Sequence, residues 1–111
     1  GTPGGSHIPT GVLQVMVNLI DHGMTLTEAV DAPRIHAQWL PDKIYFEADA
    51  LSTDTMAVLR AKGHELERMD QWNHVAAILV GAPAIAGKPR GEDRLYGAID
   101  PRLPVGAVSG D

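Results

Sequence analysis

Residues 1–30 read GTPGGSHIPTGVLQVMVNLIDHGMTLTEAV. After the glycines, apolar residues recur at three- and four-residue spacing, which places them along one stripe of a helix. We predict a helix over residues 8–22, with Gly23 as its left-handed C-terminal cap. Thr25 and Glu28 have the spacing of a capping box, which predicts a second, short helix. The fold therefore begins with two helices.

The remainder of the chain carries the patterns of strands and of one more helix. Apolar residues that alternate or form unbroken runs predict strands at 43–47, 64–69, 75–80 and 95–99. The last two are unbroken runs, and we expect them to be adjacent and buried. Ser52 is a suitable N-cap for a helix over residues 53–62. Helices followed by mostly antiparallel strands give an α+β fold class.

The composition is that of one globular unit. The chain has 111 residues, of which 44% are hydrophobic and 21% are charged, so we expect residues 1–111 to be a single domain or part of one. The net charge of -5, without clustered Lys or Arg, argues against nucleic acid or an anionic membrane as partner. The absence of cysteine excludes disulfides, thiolate metal sites and a cysteine nucleophile. A small or neutral partner fits this balance.

The start of the chain and the segment 81–93 each carry a signal in the sequence. The chain begins without Met inside a turn rich in Gly and Pro, so we expect a larger parent protein. Residues 81–93, between the last two predicted strands, are longer than a usual hairpin connection and contain several Gly and Pro. We predict that they form a surface loop.

The glycine pair Gly4-Gly5 is the first candidate for chemistry. Adjacent glycines let the backbone turn sharply and bring N–H groups close to a ligand, and a helix N-terminus follows them. Such a loop suits an oxyanion, but an ordinary turn has the same composition, and spacing alone favours the turn. The loop is neither a dinucleotide-binding fingerprint nor a P-loop, because it has no second spaced glycine and no Gly-Lys-Ser/Thr.

Histidines and hydroxyl groups are weaker candidates. The five histidines have no i, i+4 pair and no clustered carboxylates, so we predict no metal site. His7, beside the glycines, is either a proton shuttle or a solvated side chain, and the solvated state is the commoner one. Thr2 would be an N-terminal nucleophile if Gly1 were removed, but Thr2-Pro3 belongs to a turn, so we expect its hydroxyl to be structural.

Two Pro-bounded segments, residues 32–34 (APR) and 38–41 (QWLP), predict packing between elements. Arg34 is expected to bond carbonyl groups at the end of the short helix. Trp39 is expected to lie in the core or to anchor an interface. Residues 100–102 (DPR) predict the end of a strand.

Seven segments of the chain have a recognisable order and spacing. They are GTPGGS (1–6), VLQVMVNLID (12–21), GM (23–24), EAV (28–30), APR (32–34), QWLPD (38–42) and YGAIDPR (96–102). Together they resemble the C-terminal part of the small subunit of γ-glutamyltranspeptidases, over nearly the whole chain. The resemblance implies part of an N-terminal-nucleophile hydrolase fold, an αββα sandwich made by a precursor that cuts itself into large and small subunits.

The resemblance also implies a reaction. In the family, the new N-terminal Thr of the small subunit, which would lie upstream of residue 1, attacks a γ-glutamyl amide, typically in glutathione. The acyl group then passes to water or to an amino acid or peptide. The family's Pro-Gly-Gly-Ser loop supplies the oxyanion hole through two N–H groups, which match Gly4 and Gly5 as catalytic and substrate-binding residues. No cofactor and no metal are implied.

The implied partners are glutathione or other γ-glutamyl compounds, the large subunit and the remainder of the small subunit. The family's other substrate ligands, an Arg of the large subunit and Asn, acidic and paired Ser residues, have no matching positions in this chain. By family analogy the protein is periplasmic or extracellular. The chain by itself is expected to be inactive.

The chain departs from the family pattern at three places. His7 stands where many members have Arg, Ala37 stands where His is common, and residues 81–93 resemble an insertion. Two alternatives stay open, a β-lactam (cephalosporin-type) acylase of the same superfamily and a non-catalytic fragment that oligomerises through surfaces otherwise covered. The upstream sequence discriminates among them, because a Thr within a self-cleavage motif supports an enzyme.

Overall fold

The structure, a computed structural model, describes residues 1–70, 72–81, 95–103, 106–107 and 109. Within these residues the elements are α1 (His7–Ile20), α2 (Leu26–Asp31), β1 (Ile35–Ala37), β2 (Ile44–Phe46), α3 (Thr53–Ala61), β3 (Leu66–Arg68), β4 (Ala76–Val80) and β5 (Leu95–Ile99). The predicted α+β class with helices at the start is confirmed. The third helix lies between the second and third strands, so the order is less simple than helices and then strands.

The first two helices begin where their sequence signals stand, but α1 ends at Ile20 with Asp21 as its C-cap, two residues before the predicted end. Ser6 is the residue before α1, and Gly23 adopts a φ of +64° just beyond its end. At the start of α2, the Thr25 side chain accepts a hydrogen bond from the Glu28 N–H, and the Glu28 carboxylate accepts one from the Thr25 N–H at 2.8 Å. The predicted capping box is therefore formed. A capping box can be predicted from sequence because its two residues always stand three positions apart.

The strands form two sheets. In the first, β2 lies between β1, which is antiparallel to it with Ile35 opposite Phe46, and β3, which is parallel to it. In the second, β4 and β5 are antiparallel, with Ala76 opposite Ile99. The predicted pairing of these last two runs is confirmed. Sequence analysis missed β1, because three residues are too short to show a strand pattern.

A small core lies where α2 packs on one face of the β4–β5 sheet and α1 packs against α2. Its buried apolar residues are Val15, Leu26, Ala29, Val30, Val75 and Ala98. The opposite face is open, since Ile78, Val80 and Leu95 are 74%, 69% and 70% exposed. The prediction that both strands are buried is therefore wrong for one of their two faces. An apolar run does not reveal how many faces are covered.

The remaining predictions concern α3 and the connections. The Ser52 side chain accepts a hydrogen bond from the Thr55 N–H at 3.1 Å, which confirms the predicted N-cap. β5 ends directly before residues 100–102, as expected. The loop predicted at 81–93 lies outside the described residues, apart from Gly81. In the described part of the chain, no helix is long and apolar enough to cross a membrane.

Candidate functional site

The glycine loop, residues 3–6, runs directly into α1. Gly4 has a φ of +130° and Gly5 a φ of +57°, conformations that side-chain-bearing residues rarely adopt, so the loop requires glycine at both positions. The Gly4 carbonyl accepts a hydrogen bond from the His7 N–H at 3.0 Å, and the Gly5 carbonyl accepts one from the Ile8 N–H at 3.2 Å. The first turn of α1 thus satisfies both carbonyl oxygens.

The N–H groups of Gly4 and Gly5 are available as donors. Neither donates a hydrogen bond to any residue that the structure describes, and both residues are exposed. The N-terminus of α1 follows immediately and adds a partial positive charge. Two adjacent backbone donors at such a position can hold a negatively charged oxygen. The two candidate residues are therefore arranged in a way that suits an oxyanion.

Backbone hydrogen bonds hold the segment that precedes the glycine loop. The Gly1 nitrogen donates to the Ala76 carbonyl at 2.7 Å, and the Ala76 N–H donates to the Gly1 carbonyl at 2.9 Å. The Thr2 hydroxyl donates to the Pro3 carbonyl at 3.0 Å, in agreement with the structural role expected for it. The loop is thus tied to β4 on one side and to α1 on the other.

His7, the first residue of α1, packs against a second histidine. The ring centroids of His7 and His36 are 3.9 Å apart, and the Trp72 ring lies 5.6 Å from that of His7. His7 Nδ1 is 3.2 Å from the Gly4 carbonyl oxygen, and because that oxygen can only accept, Nδ1 carries the proton. Burial, and then repulsion by His36, lower the pKa of His7. His7 is therefore a half-buried, neutral side chain rather than a solvated one.

His36 joins β1 to α1 beneath His7. It is 1% exposed, and its two ring nitrogens lie 2.7 Å from Thr10 Oγ1 and 2.9 Å from Gln38 Oε1. The amide oxygen of Gln38 can only accept, so His36 Nε2 carries a proton. Within the described residues, no group of three His, Asp or Glu side chains is arranged to hold a metal ion.

Arg34 forms a buried ion pair with Asp100. Arg34 Nη2 donates to the Val30 carbonyl at 2.6 Å, which confirms the predicted bond to the end of α2. The same nitrogen lies 2.6 Å from Asp100 Oδ2, and the two residues are 1% and 0% exposed. Arg34 Nη1 donates to both oxygens of Asn73 at 3.2 Å. The sequence did not predict that Asp100 and Asn73 are partners of Arg34, because only the fold brings them to it.

Arg102 and Glu47 complete this buried group, which we call the ion cluster (Arg34, Glu47, Asp100 and Arg102). Arg102 Nη1 lies 2.9 Å from Asp100 Oδ1, and its Nε and Nη2 bind the two oxygens of Glu47. Burial alone would raise the pKa of Asp100, but hydrogen bonds from Arg102, Val75 and Arg34 outweigh it and lower that pKa. The positive charges of the two arginines and the negative charges of the two carboxylates therefore neutralise each other inside the fold.

Trp39 lies outside the core. Its exposed fraction is 87%, and that of the next residue, Leu40, is 64%. The interpretation of Trp39 as a core residue is therefore wrong for this chain, because no described element covers the turn that carries it. Its role as an interface anchor stays a prediction.

A family model matches nearly the whole chain, including the glycine loop. The model, described as Gamma-glutamyltranspeptidase, matches residues 1–109. The chain belongs to the γ-glutamyltranspeptidase family. The resemblance inferred from seven sequence segments is thereby confirmed at the level of the family.

The relatives of this chain within the γ-glutamyltranspeptidase family are longer proteins. It is 54% identical to the glutathione hydrolase proenzyme of Pseudomonas sp. (strain A14), over 99% of this chain and 19% of that protein. It is 36% identical to the Acylase ACY 1 proenzyme of Pseudomonas sp. (strain V22), over 82% of this chain and 15% of that protein. The chain thus spans less than a fifth of either proenzyme.

A solved structure of the family has the same fold in this region. It is the γ-glutamyltranspeptidase from Pseudomonas nitroreducens complexed with L-DON, which matches with a TM-score of 0.77 and 38% identity. The match covers 99% of this chain and 54% of the solved chain. The arrangement of α1, α2 and the two sheets is therefore one that the γ-glutamyltranspeptidase family adopts.

Proposed function

We propose that residues 1–111 are a single domain fragment, the C-terminal portion of the small subunit of a γ-glutamyltransferase and glutathione hydrolase. Gly4 and Gly5 form its oxyanion hole and bind the substrate carbonyl. The main support is the pair of adjacent N–H groups that have no acceptor among the described residues and are held at positive φ beside the start of α1. The relative named glutathione hydrolase proenzyme supports the choice of reaction.

The proposed reaction passes through an acyl-enzyme. The hydroxyl oxygen of an upstream N-terminal Thr bonds to the carbonyl carbon of a γ-glutamyl amide, and its proton moves to the α-amino group of that Thr. The carbonyl oxygen becomes an anion, which the Gly4 and Gly5 N–H groups stabilise without rearranging. The C–N bond then breaks, and the amine leaves with the proton. Water or an acceptor amine finally takes the glutamyl group from the Thr.

The remainder of the small subunit is proposed to cover the open face of the β4–β5 sheet. Val80 and Leu95 stand opposite each other in the register and share that face with Ile78. A second sheet packed there would place the described helices and strands in one half of an αββα sandwich. The nucleophile and this covering sheet lie in other parts of the precursor, so the chain alone is proposed to be inactive. The large subunit is a further partner, and by family analogy the enzyme is periplasmic or extracellular.

A cephalosporin-type β-lactam acylase of the same superfamily is the alternative. The 36% identity to Acylase ACY 1 proenzyme favours it. An oxyanion hole serves either enzyme, because both reactions form a tetrahedral intermediate with a negatively charged oxygen. Assays of the full-length protein with a γ-glutamyl anilide and with a cephalosporin amide separate the two. Release of the anilide product alone supports the transpeptidase, and deacylation of the cephalosporin alone supports the acylase.

The oxyanion role is tested by Gly5→Ala in the full-length enzyme. We expect kcat for the γ-glutamyl anilide to fall on the order of 10²-fold with little change in KM, because a displaced donor no longer stabilises the transition state. Gly23→Ala is the matched control. Its φ of +64° is close to the +57° of Gly5, and at either position a Cβ atom meets nothing within 4 Å.

The two variants therefore carry the same backbone strain at different places. Thermal unfolding should show similar losses of stability in both, while turnover should fall in Gly5→Ala alone. Equal kcat values in the two variants would contradict the assignment of Gly4 and Gly5 as the oxyanion hole.

A further inference from the structure

Asn73 lies between the ion cluster and the glycine loop. It is 3% exposed, and it stands two residues before Val75, whose N–H is bonded to Asp100. Its Cβ atom would lie 3.4 Å from a Cβ atom placed on Gly4, which is ordinary van der Waals contact. Asn73 therefore lies next to the glycine loop, at the distance of one added methyl group.

The orientation of the Asn73 amide is determined by its neighbours. Arg34 Nη1 lies 3.2 Å from Asn73 Oδ1, and a guanidinium group can only donate, so the amide oxygen must face Arg34. The amide nitrogen then faces the opposite way, and it donates to the His7 carbonyl at 3.4 Å. The His7 N–H in turn donates to the Gly4 carbonyl at 3.0 Å. Hydrogen bonds thus connect the buried Arg34 to the glycine loop through one amide.

Gly11 provides independent support for the importance of this amide. Glycine inside a helix destabilises it relative to alanine, yet Gly11 stands within α1 at a buried position. A Cβ atom on Gly11 would lie 2.5 Å from Asn73 Nδ2, which is too close for any real contact. The missing side chain at Gly11 therefore makes the space that the Asn73 amide occupies.

We propose that Asn73 is a positioning residue, which holds the glycine loop so that the Gly4 and Gly5 N–H groups point at the substrate oxygen. This role rests on the oxyanion function proposed above. The loop is exposed, and it is also held by two backbone bonds to the first turn of α1, by the His7 Nδ1 bond to the Gly4 carbonyl and by the pairing of Gly1 with Ala76. A fixed group next to an exposed loop restricts the geometries that the loop can adopt. Asn73 is that group, because buried Arg34 holds it in turn.

The test uses Asn73→Ala and Asn73→Asp in the full-length, processed enzyme with a γ-glutamyl anilide. We expect kcat to fall about 10-fold in Asn73→Ala with KM changed less than about two-fold, because the loop is needed most in the transition state. Asn73→Asp keeps an oxygen for Arg34 and loses the donor to the His7 carbonyl. It should also lose turnover, and it decides the question if Asn73→Ala does not fold. Unchanged kcat in the folded variant would overturn the proposal.

A double-mutant cycle with Gly11 separates positioning from general stability. Gly11→Ala alone should lower kcat, because its methyl group displaces the amide. In the Asn73→Ala background the same methyl group has space, so Gly11→Ala should lower kcat no further. Additive losses would overturn the proposal.

The Gly5→Ala variant separates a failure of the Asn73 proposal from a failure of the proposed oxyanion function. If Gly5→Ala has the same kcat as Gly23→Ala, the oxyanion assignment fails and the role of Asn73 fails with it. If Gly5→Ala lowers kcat but Asn73→Ala and Asn73→Asp do not, the role of Asn73 alone is wrong.

Discussion

The glycine loop and the ion cluster use polar groups in opposite ways. In the loop, the Gly4 and Gly5 N–H groups are exposed and have no acceptor among the described residues. In the ion cluster, charged side chains are buried and each is bonded to several partners. The donors suited to chemistry thus belong to the backbone, whereas the charged side chains that draw attention in a sequence have a structural task.

The largest effect on stability is expected from Arg34→Met. It leaves Asp100 buried with one cation fewer, and breaking a buried ion pair in this way costs about 3–5 kcal/mol. The expected result is a marked fall in the thermal unfolding midpoint of the full-length protein. Lys43→Met is the control, because Lys43 pairs with Glu65 and Glu67 at the surface, where solvent weakens the attraction. If both variants kept the wild-type midpoint, the ion cluster would not be the structural support described above.

Acid should weaken the ion cluster by protonating Asp100. The pKa of Asp100 in the folded chain lies below its ordinary value of 3.8, so the ionised form stabilises the fold above about pH 4. That contribution is lost as the pH falls from about 4 through the lower, folded-state pKa. Thermal midpoints of the wild type and Asp100→Asn should therefore converge as the pH is lowered. A difference that stays constant with pH would contradict this expectation.

The smallest effect on stability is expected from the titration of His7, which touches the glycine loop. Its pKa is lowered from 6.5, so the neutral form is favoured in the fold. The resulting stability is complete above about pH 6.5 and is lost as the pH falls through the folded-state pKa. An NMR titration should place the His7 pKa below 6.5, and His36→Gln should raise it because repulsion between the rings is removed. A His7 pKa at or above 6.5 would contradict the lowering by burial and by His36.

Local signals predicted the parts of the fold that depend on near neighbours. α1, the capping box of α2 and the N-cap of α3 were predicted because each depends on residues at most four positions apart. The pairing of β4 with β5 was predicted from two apolar runs. Gly4 and Gly5 were identified because glycine is the residue that a sharp turn with positive φ requires.

Contacts between distant segments could not be predicted in the same way. Asn73 and Asp100 reach Arg34 only after the chain folds, and neither stands in a pattern that marks a buried polar residue. The exposure of Trp39 was missed for a related reason. Aromatic residues lie in cores and at interfaces alike, and the sequence of one segment does not show what covers it.

The open face of the β4–β5 sheet has a practical consequence for work with this chain. Ile78, Val80 and Leu95 present adjacent apolar side chains to water on a short sheet. Exposed apolar patches and unpaired strand edges favour association with other copies. When the chain is produced by itself, loss to aggregation is the difficulty to expect first, even where its helices and strands form correctly. Co-expression with the remainder of the small subunit, which is proposed to cover this face, is the natural remedy.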